Sequence, residues 1–302
     1  MIIDETKLVR ISLLCTALVI FMLSLQEAGA GHFINTGTTN IWRREGSATL
    51  LPDGRVLSAG GLGTGSGSST AGIYDPFSGN EISTPSMQNV HFIHTATLLP
   101  TGKVLIVAGF TPACELFNPT DETWTNTSPL PNSNQKHTAT LLPNGQVLVT
   151  GGETGNGINA YSNCFLFNPA TEGWTETGAM HEARRRHTTT LLPNGKILAA
   201  GGWGKASPNF LPTISEHYDP ATETWTISGS LNMARRFHTA TLLPNGKVLV
   251  TGGEGTTGVS TASAELYDPS TELWTVTGQM STGRIYHAAS LLPSGKVLIT
   301  GG

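Results

Sequence analysis

The sequence predicts an all-β fold: a β-propeller of about six four-stranded blades, the last of them incomplete. Two observations predict it. The stretch Leu-Leu-Pro-x-Gly, soon followed by a glycine doublet, recurs six times along the 302 residues, and a period of this length marks a repeat architecture. Each copy holds short apolar runs between turn residues and shows no helical pattern. Four antiparallel strands repeated around an axis form the blades of a propeller.

The fifth repeat shows the unit most clearly, and we name its strands A to D in chain order. Strand A lies in the Thr- and Leu-rich run that begins at His238, and Pro-Asn-Gly then predicts a tight turn. The other strands are B (Lys247–Thr251, before the doublet), C (Ala264–Tyr267) and D (Trp274–Thr277). Because one blade is a small sheet with two apolar faces, it must pack against neighbouring blades.

The order of these residues resembles kelch repeats, of the kind also found in the galactose-oxidase-like propeller domain. It reads His, Gly-Lys-Val-Leu-Val-Thr-Gly-Gly, Glu-Leu-Tyr-Asp-Pro and Trp, and the resemblance covers the chain from about Phe33 to Gly302. The second copy departs from it, with Gly109-Phe110 at the doublet. The resemblance implies a propeller domain over residues 31–302 and implies little about function, because one fold hosts many functions.

Residues 1–30 are predicted to be a secretory signal peptide. Lys7 and Arg10 precede an uncharged run, and Ala28-Gly29-Ala30 supplies the small residues that a signal peptidase reads, so cleavage is expected before Gly31. The alternative is a membrane anchor, although the run is shorter than the ~20 apolar residues that a spanning helix needs. We therefore expect a secreted, periplasmic or cell-surface protein that meets a membrane only through an uncleaved signal segment.

The C-terminal repeat stops at Gly301-Gly302, the end of a strand B. A lone strand D from the region of Phe33 would lie parallel to it, which makes a poor join for a sheet edge. The chain is accordingly expected to be a fragment or to have an imperfect sixth blade.

Composition narrows the classes of partner. Only 13% of residues are charged and the net charge is −4, which gives no basic field for nucleic acid.

Cys114 and Cys164 occupy equivalent places in neighbouring repeats, too far apart for a disulfide, and are expected to be buried thiols. Five histidines recur at the start of strand A. Because equivalent positions spread around a ring, we expect them to bond a neighbouring backbone group, not to hold a metal, and we predict no cofactor.

Arginines gather on one face of the predicted disc. The position three residues before the strand-A histidine holds Arg43, Arg184, Arg235 and Arg284 in four of the six repeats. Guanidinium groups around a channel mouth could bind a carboxylate or sulfate. The alternative is a structural clamp that donates hydrogen bonds to loop carbonyls of the next blade.

Aromatic residues outside the repeat pattern lie on the same face, which also carries the B–C loops of variable length. The candidates are Trp42, Trp203, Phe210 and Tyr286. Exposed aromatics of this kind hold sugar rings or peptide side chains, or else they fill the bases of the loops.

We therefore expect a secreted, non-catalytic binding or adhesion module whose loop face takes a carbohydrate or a protein. The alternative is the propeller part of a galactose-oxidase-like copper oxidase or of a glycan-processing enzyme. No ligand residue of such an oxidase can be matched to this chain, and no catalytic residue is assigned.

Overall fold

The computed structural model describes residues 43–63, 66–155, 160–204 and 210–302, and these residues form no helix. They form five four-stranded antiparallel sheets and a final two-stranded sheet. The predicted all-β fold and the incomplete last blade are therefore confirmed. The predicted signal peptide and Trp42 lie outside the described residues.

Each complete blade is a meander in which consecutive strands A to D pair antiparallel. The first blade holds β1 (Ser47–Leu50), β2 (Val56–Ala59), β3 (Ala71–Asp75) and β4 (Asn80–Ser83), and the second holds β5 (Thr95–Leu98), β6 (Val104–Val107), β7 (Cys114–Asn118) and β8 (Thr123–Thr127). The third holds β9 (Thr138–Leu141), β10 (Val147–Thr150), β11 (Cys164–Asn168) and β12 (Gly173–Thr177).

The fourth blade holds β13 (Thr188–Leu191), β14 (Ile197–Ala200), β15 (Ile214–Asp219) and β16 (Thr224–Ser230). The fifth holds β17 (Thr239–Leu242), β18 (Val248–Thr251), β19 (Ala264–Asp268) and β20 (Leu273–Val276). The sixth consists of β21 (Ala288–Leu291) and β22 (Val297–Thr300). The four strands predicted for the fifth repeat match these bounds to within about one residue.

The glycine doublet ends strand B for two reasons that the fourth blade illustrates. Gly201 has a φ of +61°, which side chains disfavour. A Cβ there would lie 2.6 Å from the carbonyl oxygen of Arg235 in the next blade. In the second blade Ala108 and Gly109 fill these positions, so the sequence-based placement of the doublet one residue later was wrong.

The hydrophobic core lies between successive blades. Between the third and fourth blades it packs Cys164 and Met180 against Ile197, Tyr218 and Trp225, all of them buried. Equivalent clusters join the first blade to the second, the second to the third and the fourth to the fifth. Burial of both faces of each sheet is the main stabilisation of a stacked repeat.

Cys114 and Cys164 are buried free thiols, as predicted. Each lies in strand C and donates to a backbone carbonyl two residues earlier, that of Pro112 or Ser162. Burial raises the pKa of Cys114 to about 11 and that of Cys164 to about 12. Both therefore act as small apolar residues at neutral pH.

The repeated histidines join the innermost strands of neighbouring blades. In each of five blades the His Nε2 lies 2.8–3.2 Å from the hydroxyl of the Ser or Thr that begins strand A of the preceding blade. The pairs are Ser47–His94, Thr95–His137, Thr138–His187, Thr188–His238 and Thr239–His287. Backbone groups also contact the rings of His137, His238 and His287, as expected, and the Ser or Thr hydroxyl is a further partner that the sequence did not indicate.

Candidate binding site at the channel mouth

The position three residues before each strand-A histidine is a structural clamp. In all six blades its side chain binds a backbone carbonyl oxygen 17 residues later, at the end of strand B of the same blade. Arg184, for example, donates from Nη1 to the carbonyl of Gly201 at 3.0 Å. The six residues are Arg43, His91, Asn134, Arg184, Arg235 and Arg284.

A buried glutamate of strand C completes the clamp in three blades. Glu216 accepts hydrogen bonds from Arg184 and from the loop N–H groups of His181 and Glu182. Glu115 and Glu265 do the same for their own loops. Although burial acts to raise the pKa of Glu265, hydrogen bonds from the Asn232 loop and Arg235 hold it below its usual value.

The clamp geometry decides what the predicted arginines offer to a ligand. Arg184 and Arg235 have no exposed surface, and Arg43 is also buried. Their guanidinium groups face strands B and C of their own blade, so we do not include them in the proposed site. Arg284, in the sixth blade, is partly exposed.

The side chains that do face the channel come from the position directly before the histidine. We call Glu45, Ile93, Lys136, Arg186, Phe237 and Tyr286 the mouth ring. All six have φ between 54° and 58°, a left-handed conformation that non-glycine residues rarely adopt. Because the same strained geometry recurs at six different side chains, the backbone of the propeller imposes it.

The mouth ring brings opposite charge and aromatic surface together. Arg186 Nη2 lies 3.4 Å from Glu45 Oε1, although the two residues belong to the fourth and first blades. Its guanidinium carbon lies 5.2 and 5.3 Å from the ring centroids of Phe237 and Tyr286, which are 4.4 Å apart. Tyr286 is 57% exposed. Arg186 is thereby held over two aromatic rings and reaches the channel.

A pocket of about 210 Å³ opens beside Arg186. Four blades supply its lining: Glu45, Gly46, Ile93, His94, Lys136, His137, Arg186 and His187. Four residues of the mouth ring and three of the inter-blade histidines therefore line one pocket, which combines charged side chains with buried imidazole rings.

Among the described residues, the ion pairs around the mouth involve more cations than carboxylates. Lys136 and Arg185 share the carboxylate of Glu153, and Arg236 pairs with Glu254 at 2.9 Å. With Arg186 and Glu45 these make four cations and three carboxylates. Burial, then Arg186 and Arg185, lower the pKa of Lys136 to about 8, while the charge of Glu45 acts in the opposite direction.

Three of the four predicted aromatics, Trp203, Phe210 and Tyr286, fall within the described residues and lie beside the mouth ring or at the loops around it. Trp203 pairs with Arg185 through an isolated β-bridge, and the guanidinium carbons of Arg185 and Arg236 lie 4.0 and 3.9 Å from its ring centroid. Phe210 packs against Gly204 at the base of its loop. Of these residues only Tyr286 belongs to the mouth ring.

Sequence reasoning missed the mouth ring and a second aromatic pair, Phe92 and Phe110, whose centroids are 5.3 Å apart. The signal for the ring was present. The residue before the histidine differs in every repeat, although the histidine itself is the same in five of the six, and variation beside a constant residue is typical of a binding position.

The part of the chain that the structure describes holds no group of three or more His, Cys, Asp or Glu side chains arranged for a metal ion. Within the same residues, no helix has the length and apolarity to cross a membrane.

Comparison with known proteins agrees with the architecture. The family model described as the KLHDC2/KLHL20/DRC7 Kelch-repeats domain matches residues 93–302, which is more than half of the chain. No curated protein matches the sequence. Kelch-repeat propellers are generally protein-binding modules. The matched repeats, the four-stranded blades and the conserved geometry of the clamps have one common explanation: this chain belongs to the kelch-repeat family.

Proposed function

We propose that this protein is a secreted, non-catalytic binding module whose mouth ring takes a protein ligand. The observation that carries the proposal is Arg186, held over Phe237 and Tyr286 at the rim of the pocket. A positioned guanidinium beside exposed rings is suited to an anionic side chain next to an aromatic or aliphatic one.

The energetics of this site favour a carboxylate on the ligand. The present partner of Arg186 is Glu45, at 3.4 Å and longer than a good charge-assisted hydrogen bond. An incoming carboxylate can replace that long contact, and the excess cation at the mouth attracts it. The ion pair would be partly screened, so binding is expected to weaken as salt is raised.

The turns on the opposite face of the disc are uniform, and this contrast supports the choice of the mouth as the binding face. Its A–B turns repeat Pro-x-Gly in all six copies, and in the C–D turns Glu122, Glu172, Glu223 and Glu272 all share one left-handed conformation. Such uniform turns are explained by structure alone. Side chains that differ between blades lie on the mouth side, where a ligand gains specificity from them.

The direct experiment screens the purified protein against an array of peptides that each carry one Asp or Glu beside an aromatic residue, and in parallel against a glycan array. We expect peptide binding that falls at least about tenfold in Arg186→Ala and in Tyr286→Ala. The matched control is Arg55→Ala in an A–B turn, whose guanidinium is also partly exposed. It should leave binding unchanged.

Two outcomes would contradict the proposal. Peptide binding that survives both mouth variants but is lost in Arg55→Ala would place the ligand on the other face. Binding confined to acidic glycans would identify a carbohydrate ligand, for which a sugar ring would stack on Tyr286.

Secretion is part of the proposal and is tested separately. The N-terminal charges, apolar run and Ala28-Gly29-Ala30 support export. Expression in a secreting host should yield protein in the medium that begins at Gly31. Recovery of the protein only in membranes, with Met1 retained, would support the anchor.

A further inference from the structure

Two positions face each other at the loop side of every complete blade, and we call them the rim pair. One lies two residues before the strand-A histidine, or before Gly46 in the first blade, and the other directly follows the doublet or its equivalent. An isolated β-bridge joins the pair in four blades, and each of these pairs contains a charged side chain. The second blade instead stacks Phe92 on Phe110, with ring centroids 5.3 Å apart and an interplanar angle of 22°. The four bridged pairs are Arg44–Leu62, Gln135–Glu153, Arg185–Trp203 and Arg236–Glu254.

The short B–C loop of the second blade leaves this aromatic pair uncovered. The loop spans only residues 110–113, because β7 begins at Cys114, whereas the equivalent loop of the fifth blade spans residues 254–263. Phe110 is 57% exposed, while the residues at its position in the other complete blades are buried or half-buried. A large aromatic side chain is therefore exposed to solvent at a position that the other blades cover.

The B–C loop of the first blade extends this apolar surface. A Cβ on Gly67 would lie 2.4 Å from Val90 Cγ1 and 2.7 Å from Phe92 Cδ1, so the glycine lets the loop lie directly against both side chains. Val90 is itself exposed. We call Val90, Phe92 and Phe110 the apolar platform. Exposed apolar surface that is continuous in this way is typical of an interaction site.

The apolar platform adjoins the pocket at the mouth. Ile93 directly follows Phe92 and lines that pocket together with Arg186. On the side of the third and fourth blades the surroundings are charged, because Glu153 pairs with Lys136 and Arg185 there. A ligand in the mouth therefore meets charged side chains from the third and fourth blades and apolar side chains from the second.

We propose that one segment of a protein ligand binds both surfaces, with a carboxylate on Arg186 and an aromatic or aliphatic side chain on the apolar platform. This inference rests on the proposed function and adds a second anchor to it. A sugar ring would need partners for its hydroxyl groups beside the stacking surface, whereas all the side chains of the platform are apolar. Two anchors on one segment reinforce each other, because the second binds as an intramolecular event.

The probe is a fluorescent peptide that carries one Glu-Tyr pair in a glycine–serine chain, and its affinity for the full protein is measured by fluorescence anisotropy. A matched series places a single Phe one to six residues from the Glu on either side. This series samples about 20 Å of extended chain at about 3.3 Å per residue. We expect Phe to tighten binding at least about fivefold over Ser at one narrow range of spacings, and to give no gain elsewhere.

Variants of the protein assign the gain to the apolar platform. In Phe110→Ser the gain from Phe should disappear, while the peptide without Phe should bind as it does to the wild type, which also shows that the variant is folded. Arg186→Ala should weaken the peptides with and without Phe by the same factor, since the two anchors are separate. The matched control is Phe77→Ser, because Phe77 is 78% exposed in the C–D turn between β3 and β4. It should leave every affinity unchanged.

The outcomes separate this inference from the proposed function. Binding that depends on Arg186 but gains nothing from Phe at any spacing, or a gain that survives Phe110→Ser, would overturn the second anchor and leave the proposed function intact. A gain that requires Phe110 while Arg186→Ala has no effect would overturn the proposed function, and with it the shared segment. If no peptide of the series binds, both are overturned.

Other occupants of the apolar platform are detected directly. A dimer of the chain that dissociates in Phe110→Ser would assign the platform to a second copy. A glycan-array signal that is lost in Phe110→Ser, with no gain from Phe in the peptides, would assign it to a sugar ring. Either result would overturn the inference.

Discussion

Two adjacent positions at the start of each strand A have opposite roles. The histidine is identical in five blades, is buried, and bonds the preceding blade through its Nε2. The residue just before it differs in all six blades, has a left-handed backbone, and projects into the channel mouth. In this propeller, side chains that repeat build the disc, and side chains that vary within a repeated backbone form its candidate binding surface.

The largest effect on stability is expected at one of two arginines that are separated by a single residue. Arg184→Ala should lower the free energy of unfolding by about 3–5 kcal/mol, because it leaves Glu216 buried without its cation. Arg186→Ala should cost less than about 1 kcal/mol, since the ion pair that Arg186 forms with Glu45 is partly exposed. Urea unfolding of both variants measures this, and equal losses would remove the distinction between clamp and mouth.

A similar effect is expected within strand D of the fourth blade. Trp225 is 6% exposed and packs between blades, so Trp225→Ala should cost about 3–5 kcal/mol through lost burial and a cavity. Ile227 is 57% exposed in the same strand, and Ile227→Ala should change stability by about 0.5 kcal/mol or less. A loss below about 1 kcal/mol for Trp225→Ala, in a protein that unfolds cooperatively, would contradict the packing between blades.

Acid should act on the repeated histidines. Burial lowers the pKa of His137 to about 4 and is the main cause that lowers that of His94 to about 3, while an unfolded histidine titrates near 6.5. The unfolded chain therefore binds more protons between these values, and stability is full above about pH 6.5 and falls as the pH drops toward 4. The expected slope is about 1.4 kcal/mol per pH unit for each such histidine.

Urea unfolding at pH 7, 6 and 5 checks this. In His137→Asn the dependence of the unfolding free energy on pH should be smaller by the contribution of one histidine. An unchanged slope in His137→Asn would show that carboxylates alone set the acid response.

The smallest effect concerns the cysteines, another repeated pair. With the pKa of each thiol raised to about 11 and about 12, alkylation of the folded protein at pH 8 should be negligible, and both sites should react after denaturation. Mass spectrometry of labelled peptides measures this. Rapid labelling of Cys114 in the folded state would contradict its burial, and a disulfide to Cys164 would contradict the register of the repeat.

The repeat made most of the fold predictable, because the same turn residues and β-branched runs recur at fixed intervals. The fifth-blade strands and the burial of Trp225 followed directly from that pattern. The clamp role of Arg184 was one of two alternatives, and its bonds to the carbonyl of Gly201 in its own blade and to the buried Glu216 decide between them. Glu216 gave no sequence signal of its own, because a glutamate in a short strand is normally exposed.

The mouth ring could not be derived from residue types. Arg186 and Tyr286 share no chemistry, and their proximity depends on how blades from distant parts of the chain close around one axis. Tyr286 was selected as an isolated exposed aromatic, but its stacking on Phe237 and the approach of Arg186 are consequences of the ring. Long-range closure of this kind has no local sequence pattern.

The left-handed backbone of the mouth ring affects how such a protein can change over generations. Holding a non-glycine residue in this conformation costs roughly 1 kcal/mol, and the disc meets that cost at Glu45, Lys136, Tyr286 and their equivalents regardless of the side chain. Replacement of one side chain by another at these places therefore leaves the fold nearly as stable as before. Ligand preference can drift by single codon changes while the framework stays fixed, so related discs are expected to diverge first at the residue before the histidine.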